Sequence, residues 1–153
     1  MAVNPTGQFL YLNSGAAYAI DGTSGALTPV PGSPFPVGGR GIAVDPRGDF
    51  VYMVGCNYQQ TCVERIDQAT GALTPVPGSP FQVGGDKSIT VDATGQFIYM
   101  PNSFNCYPYS CIAAATVDRT TGALTPVPGS PFQVQQAGTA SPVSIIAAPN
   151  QFR

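Results

Sequence analysis

Three short stretches of the chain alternate aromatic and aliphatic residues: Phe9-Leu-Tyr-Leu, Phe50-Val-Tyr-Met and Phe97-Ile-Tyr-Met. Runs of strong β formers bounded by turn residues predict strands on a half-buried surface. A short apolar segment precedes each of them: Met1-Ala-Val-Asn-Pro-Thr-Gly, Ile42-Ala-Val-Asp-Pro-Arg-Gly and Ile89-Thr-Val-Asp-Ala-Thr-Gly. Asn or Asp opening the turn and Gly within it predict a hairpin. A third strand follows, as Ala17-Tyr-Ala-Ile-Asp, Val63-Glu-Arg-Ile-Asp and Ala114-Ala-Thr-Val-Asp. Each is closed by a five-residue turn running from Asp21, Asp67 or Asp118 to a glycine. No stretch carries helical periodicity, and the pattern predicts an all-β fold.

The fourth segment is the undecapeptide Gly-Ala-Leu-Thr-Pro-Val-Pro-Gly-Ser-Pro-Phe, which occurs unchanged at 25–35, 71–81 and 122–132. Its copies start 46 and then 51 residues apart, a period that marks propellers, solenoids and arrays. Proline cannot donate to a ladder, so a segment with three of them is expected as an edge strand. Four antiparallel strands with a proline-rich edge describe a propeller blade whose innermost strand comes first. The repeats run over about 1–40, 41–87 and 88–143. Residues 144–153 are expected to start a further blade, since Ser144–Phe152 aligns with Ser88–Phe97 after one deletion.

These residues carry a family resemblance. The order Ala-Val-Asp-Pro-x-Gly, Phe-x-Tyr, Ile-Asp-x-x-Thr-Gly-Ala-Leu-Thr-Pro-Val-Pro-Gly-Ser-Pro-Phe resembles the repeat of lactonase-type, 6-phosphogluconolactonase-like seven-bladed β-propellers. It is more loosely similar to the YVTN repeats of bacterial surface propellers. The resemblance covers nearly the whole chain and implies the propeller fold and hydrolysis of a sugar lactone. The family's enzymes are thought to use His, Glu and Arg near the channel. This chain contains no histidine, so no family site residue carries over.

Propellers have roughly four to eight blades, and three cannot close a ring. Two arrangements meet this: the chain is a segment of a longer propeller, or copies assemble head-to-tail, two giving a six-bladed ring and open stacking giving a filament. We expect assembly as a homo-oligomer, because uncovered blade faces would be apolar, with the strand 144–151 completing a neighbour's first blade.

Composition narrows the class further. Charged residues make up 9% of the chain and the net charge is −2; without a basic stripe, nucleic acid is not an expected partner. No apolar run reaches the ~20 residues that cross a bilayer as a helix, so membrane insertion is not expected. The chain opens directly on a strand-like segment without a signal-peptide pattern, as expected of a mature, trimmed or partial chain. The cysteines form two close pairs, Cys56/Cys62 and Cys106/Cys111, both between the second and third strands of a unit. A disulfide within each loop fits this spacing better than zinc, which prefers tighter knuckles and histidine. Disulfides imply an extracellular, cell-surface or periplasmic location. No cofactor and no metal are expected.

In a propeller the loops between strands two and three emerge on the same face as the links between blades. That face is expected to carry Tyr58, Tyr107 and Tyr109 from the cysteine loops, Arg40 from one inter-blade link, and Asp86 with Lys87 from the next. Exposed tyrosines give contact area at low entropy cost and suit a protein or carbohydrate ligand; the alternative is that they pack the hairpins. Asp21, Asp67, Asp118, Asp45 and Asp92 are expected to serve turns, leaving Asp49, Glu64 and Asp86 as non-repeated acids. Glu64 and Arg65 are expected to be either exposed or paired. No acid/base pair and no nucleophile motif emerge, so no catalytic residue is assigned. The sequence reading is a non-catalytic propeller module for binding or self-assembly, with a lactonase-like hydrolase, or a piece of one, as the alternative.

Overall fold

A computed structural model describes residues 1–103, 106 and 109–134. Tyr107 and the strand expected over 144–151 lie outside the described residues. The described residues contain no helix. They form three antiparallel sheets in simple up-and-down order. The first is β1 (Ala2–Val3), β2 (Phe9–Tyr11), β3 (Ala17–Ile20) and β4 (Leu27–Pro29). The second is β5 (Gly41–Val44), β6 (Phe50–Val54), β7 (Thr61–Ile66) and β8 (Leu73–Pro75). The third is β9 (Thr90–Val91), β10 (Phe97–Asn102), β11 (Ser110–Val117) and β12 (Leu124–Pro126), with β13 (Phe132–Val134) also paired to β11. Strands β1, β5 and β9 lie side by side, so the first strand of each sheet is the inner one. These are propeller blades.

The turns form as side-chain chemistry dictates. Asn4, Asp45 and Asp92 each accept the backbone N–H of the phenylalanine five residues on, at 2.9, 2.9 and 2.8 Å. Asp21, Asp67 and Asp118 accept the N–H groups two and three residues ahead of them. Those bonds hold all three carboxyls below the usual range, because they stabilise the charged form.

The undecapeptide departs from the single edge strand expected of it. Only its Leu-Thr-Pro part is a strand in each blade. The next residues, Val-Pro-Gly-Ser, turn sharply, with Gly32, Gly78 and Gly129 at φ of 87°, 87° and 84°. Proline before a positive-φ glycine is the chemistry of a type II turn, closed by Ser33 N–H to Val30 O at 2.9 Å and its counterparts. The Ser-Pro bond that follows is cis in all three copies. The chain then returns to the third strand, bridging Phe81 to Thr61 and pairing β13 with Ser110–Ile112. At the bend the third strand loses a backbone partner, and the turn serine replaces it. Ser33, Ser79 and Ser130 Oγ accept from Ala17, Val63 and Ala114 N–H at 2.9, 3.0 and 2.9 Å.

The core lies between blades. Phe9 and Tyr11 face the second blade, meeting Val51, Met53 and Leu73. Phe50, Tyr52 and Val54 face the third, meeting Ile98, Met100 and Leu124. Strand β6 is therefore buried along its whole length, since alternate residues serve opposite interfaces. At each interface the repeat phenylalanine rests on a glycine of the next blade. A Cβ on Gly122 would lie 2.6 Å from the Phe50 ring, and one on Gly71 would overlap Phe9. Tyr11 Oη also donates to Gly71 O at 3.1 Å.

Replacing Ser79 by Ala leaves the Val63 N–H without its partner. It should cost about 1–2 kcal/mol, read as a lower urea midpoint with an unchanged slope; an unchanged midpoint would show that the serine is not needed at the bend.

Candidate functional site

The second-to-third strand loops and the inter-blade links emerge together, and the sequence candidates separate there into three groups. Arg40 and Lys87 line one cleft of about 250 Å³ with Asn13, Ser88 and the start of β5. Their positions follow from the backbone. Gly41 packs against the Lys87 carbonyl with no room for a side chain, which draws two successive links together. Asn13 Nδ2 donates to Gly39 O at 3.1 Å and ties the first blade to the same link. Arg40 runs its aliphatic stem along Gly55, whose φ is 71°.

The tyrosines form the second group. The Cys56–Cys62 and Cys106–Cys111 disulfides are both present, with Cα atoms 5.9 and 6.0 Å apart. Tyr58 stands at the tip of the first loop, 78% exposed and at φ 61°. Beside it Asn57, Gln59, Gln60 and Gln82 line a shallow depression of about 420 Å³. Tyr109 is exposed on the second loop, its N–H donating to Cys106 O at 2.6 Å. Both tyrosine side chains are largely open to solvent.

Asp86 forms the third group. Its Oδ2 accepts from Ser103 N–H and Oγ at 3.0 and 2.6 Å, while its own N–H donates to Pro101 O. It fastens the inter-blade link to the end of β10 and does not line the Arg40–Lys87 cleft. Of the other non-repeated acids, Asp49 pairs with Arg47 at 3.2 Å. Among the described residues no three His, Cys, Asp or Glu side chains cluster as metal ligands would.

Glu64 departs from the sequence expectation of an exposed or paired acid. It is buried, 3% exposed, in the middle of β7. It lines a crevice of about 220 Å³ between the first two blades, with Val37, Gly38, Ser79 and the Cys56–Cys62 disulfide. The repeat carried a partial signal: its equivalents are Tyr18 and Ala115, which put the position on an apolar side of the strand without showing that a neighbouring blade covers it. Arg65, one residue on, points the other way. Its guanidinium lies 4.7 Å from the Phe50 ring centroid and donates to Thr120 O at 2.6 Å, linking the second and third blades.

Burial pushes the Glu64 carboxyl up from 4.5 to about 7. The folded protein then holds a proton that the unfolded chain has released, so stability falls as pH rises from about 4.5 through 7. Thermal unfolding should show Tm declining across that window, and Glu64→Gln should flatten the decline and raise Tm above pH 7. A decline of equal slope in the variant would assign the pH dependence to other groups.

No family model matches the chain, and no curated protein does. Solved structures do match. A protein from Lactobacillus plantarum aligns with TM-score 0.63 and 23% identity, over 82% of this chain and 39% of that one. A Bacteroides fragilis protein, provisionally assigned as a 6-phosphogluconolactonase, aligns with TM-score 0.63 and 18% identity, over 82% and 36%. The periplasmic gluconolactonase of Pseudomonas aeruginosa aligns with TM-score 0.62 and 19% identity, over 85% and 39%. The chain thus spans under two fifths of the length of each. With its three antiparallel up-and-down blades, it has the β-propeller fold of these structures.

Proposed function

We propose that these blades belong to a lactonase-type propeller, and that the Arg40–Lys87 cleft receives a sugar lactone. The observation that carries the reading is the convergence of two cationic side chains and two polar ones, Asn13 and Ser88, on one cleft beside the inner strands. The names of the Bacteroides fragilis and Pseudomonas aeruginosa structures support the substrate class. Hydroxyls of a sugar ring suit Asn13 and Ser88, and the cations suit the carbonyl oxygen, which becomes negative as water adds to it. Stabilising that developing charge in a sheltered cleft commonly does more than any other effect to speed acyl transfer. Collapse of the tetrahedral adduct breaks the ring C–O bond; the ring oxygen takes a proton and the product is a sugar carboxylate.

A second reading rests on Tyr58 and the amide-lined depression next to it. Exposed aromatic and amide groups on a stapled loop suit a carbohydrate or protein ligand without chemistry. Under either reading the two disulfides support an extracellular, cell-surface or periplasmic location, as does the periplasmic gluconolactonase among the structural relatives.

Hydrolysis of gluconolactone, followed as acid release above the spontaneous rate, tests the first reading. Arg40→Ala should lower kcat/KM about 100-fold, and Lys87→Ala should lower it as well, with folding unchanged. Absence of turnover above buffer, or turnover indifferent to both substitutions, would reject the lactone reading and leave the loop-binding one.

A further inference from the structure

The two interfaces among the described residues use the same parts, and the first and third blades each present one half of a third. On the side facing the next blade, every blade offers a phenylalanine and a tyrosine from its second strand and a valine from its undecapeptide. In the first two blades these are Phe9, Tyr11 and Val30, and Phe50, Tyr52 and Val76; all six are buried. In the third they are Phe97, Tyr99 and Val127, all partly exposed. The two rings of that last pair already hold the spacing of the buried one: 6.4 Å between centroids in Phe97–Tyr99, and 6.4 Å in Phe50–Tyr52.

The opposite side of every blade is the socket. Gly71 and Leu73 receive Phe9, and Gly122 and Leu124 receive Phe50; both leucines are 7% exposed. Their counterparts in the first blade are Gly25 and Leu27. Leu27 is 49% exposed, and a Cβ added to Gly25 would meet nothing within 4 Å. Gly25 keeps the backbone of its equivalents, with φ 72° against 76° and 80°. Among the described residues the socket is therefore formed and empty, and the counterparts of the residues that fill its copies stand partly exposed on the third blade.

We infer that a second copy of this chain docks head-to-tail here. Phe97 and Tyr99 of one copy seat on Gly25 and Leu27 of the next, as Phe9 and Tyr11 seat on Gly71 and Leu73. The occupant is identified by shape and chemistry that the molecule already uses twice, so the contact continues an existing interface. The two faces differ, so the contact is heterologous: it closes when two copies complete a six-bladed ring, and runs on as a filament when the rotation does not fit. The inference stands apart from the lactone reading, because neither Arg40 nor Lys87 takes part in the contact.

The test is the solution mass of the 153-residue chain, measured by light scattering under non-reducing conditions. Wild type should appear as a dimer of the 15.8 kDa chain or as a larger regular assembly. Leu27→Lys spoils the socket, and Phe97→Ser or Val127→Lys spoils the opposite face; each variant alone should be monomeric and retain the wild-type circular dichroism spectrum. Mixing a socket variant with an opposite-face variant restores one intact contact and should give a discrete heterodimer. Monomeric wild type at tens of micromolar would overturn the proposal and leave the faces to further blades of a longer chain or to another protein. Assembly that survives both kinds of variant would overturn it too, since the contact would lie elsewhere.

Discussion

Everything in this molecule depends on a benzene ring meeting a residue that has no side chain. Blades are thin and their strands short, so no blade holds a core of its own; apolar residues leave water only where one blade covers the next. The repeat phenylalanine can rest against its neighbour only because glycine closes the five-residue turn there. That glycine answers two demands at once. The turn needs a positive φ, which glycine adopts without strain, and the ring needs the volume a Cβ would fill. The leucine two residues on completes the contact, and at the first interface the Tyr11 hydroxyl also donates to Gly71 O. The verbatim repetition of Gly-Ala-Leu-Thr across blades has a physical reason in this seat.

The second half of the undecapeptide solves a different problem, that of a sheet edge. A proline-rich strand running the full length of the third strand would bring too few N–H groups and leave backbone carbonyls unpaired. Instead the chain bends at Val-Pro-Gly-Ser, supplies a serine hydroxyl to the orphaned N–H, and returns to pair again further along. The edge is covered, and its prolines deter pairing with other sheets.

Much of this was legible in the sequence. Strand order, hairpin turns and the Asx chemistry of Asn4, Asp45 and Asp92 follow from residue types at fixed repeat positions. The two disulfides followed from loop placement and the lack of histidine. The bend in the undecapeptide was signalled by Pro-Gly before Ser-Pro, yet the three prolines pulled the reading toward one extended edge. Glu64 was harder. Alternation says which side of a strand a residue takes, but whether that side is covered depends on the neighbouring blade, and only packing supplies that. Arg40 and Lys87 were placed on one face by topology, whereas their convergence on a single cleft depends on Gly41 lying against the next link. Asp86 sits beside Lys87 in sequence and serves the backbone instead, because Ser103 brings two donors to its carboxylate.

The ring-on-glycine contact is the central claim, and a double-mutant cycle between Phe50 and Gly122 tests it most directly. Unfolding free energies would be measured in urea for wild type, Phe50→Leu, Gly122→Ala and the pair. In the wild-type background Gly122→Ala adds a collision with the Phe50 ring to the strain of its positive φ; in Phe50→Leu the strain remains and the collision is relieved. A seat of this kind predicts a coupling of at least about 1 kcal/mol. Additivity within about 0.5 kcal/mol would contradict it, and would mean that the blades are held together by something other than this contact.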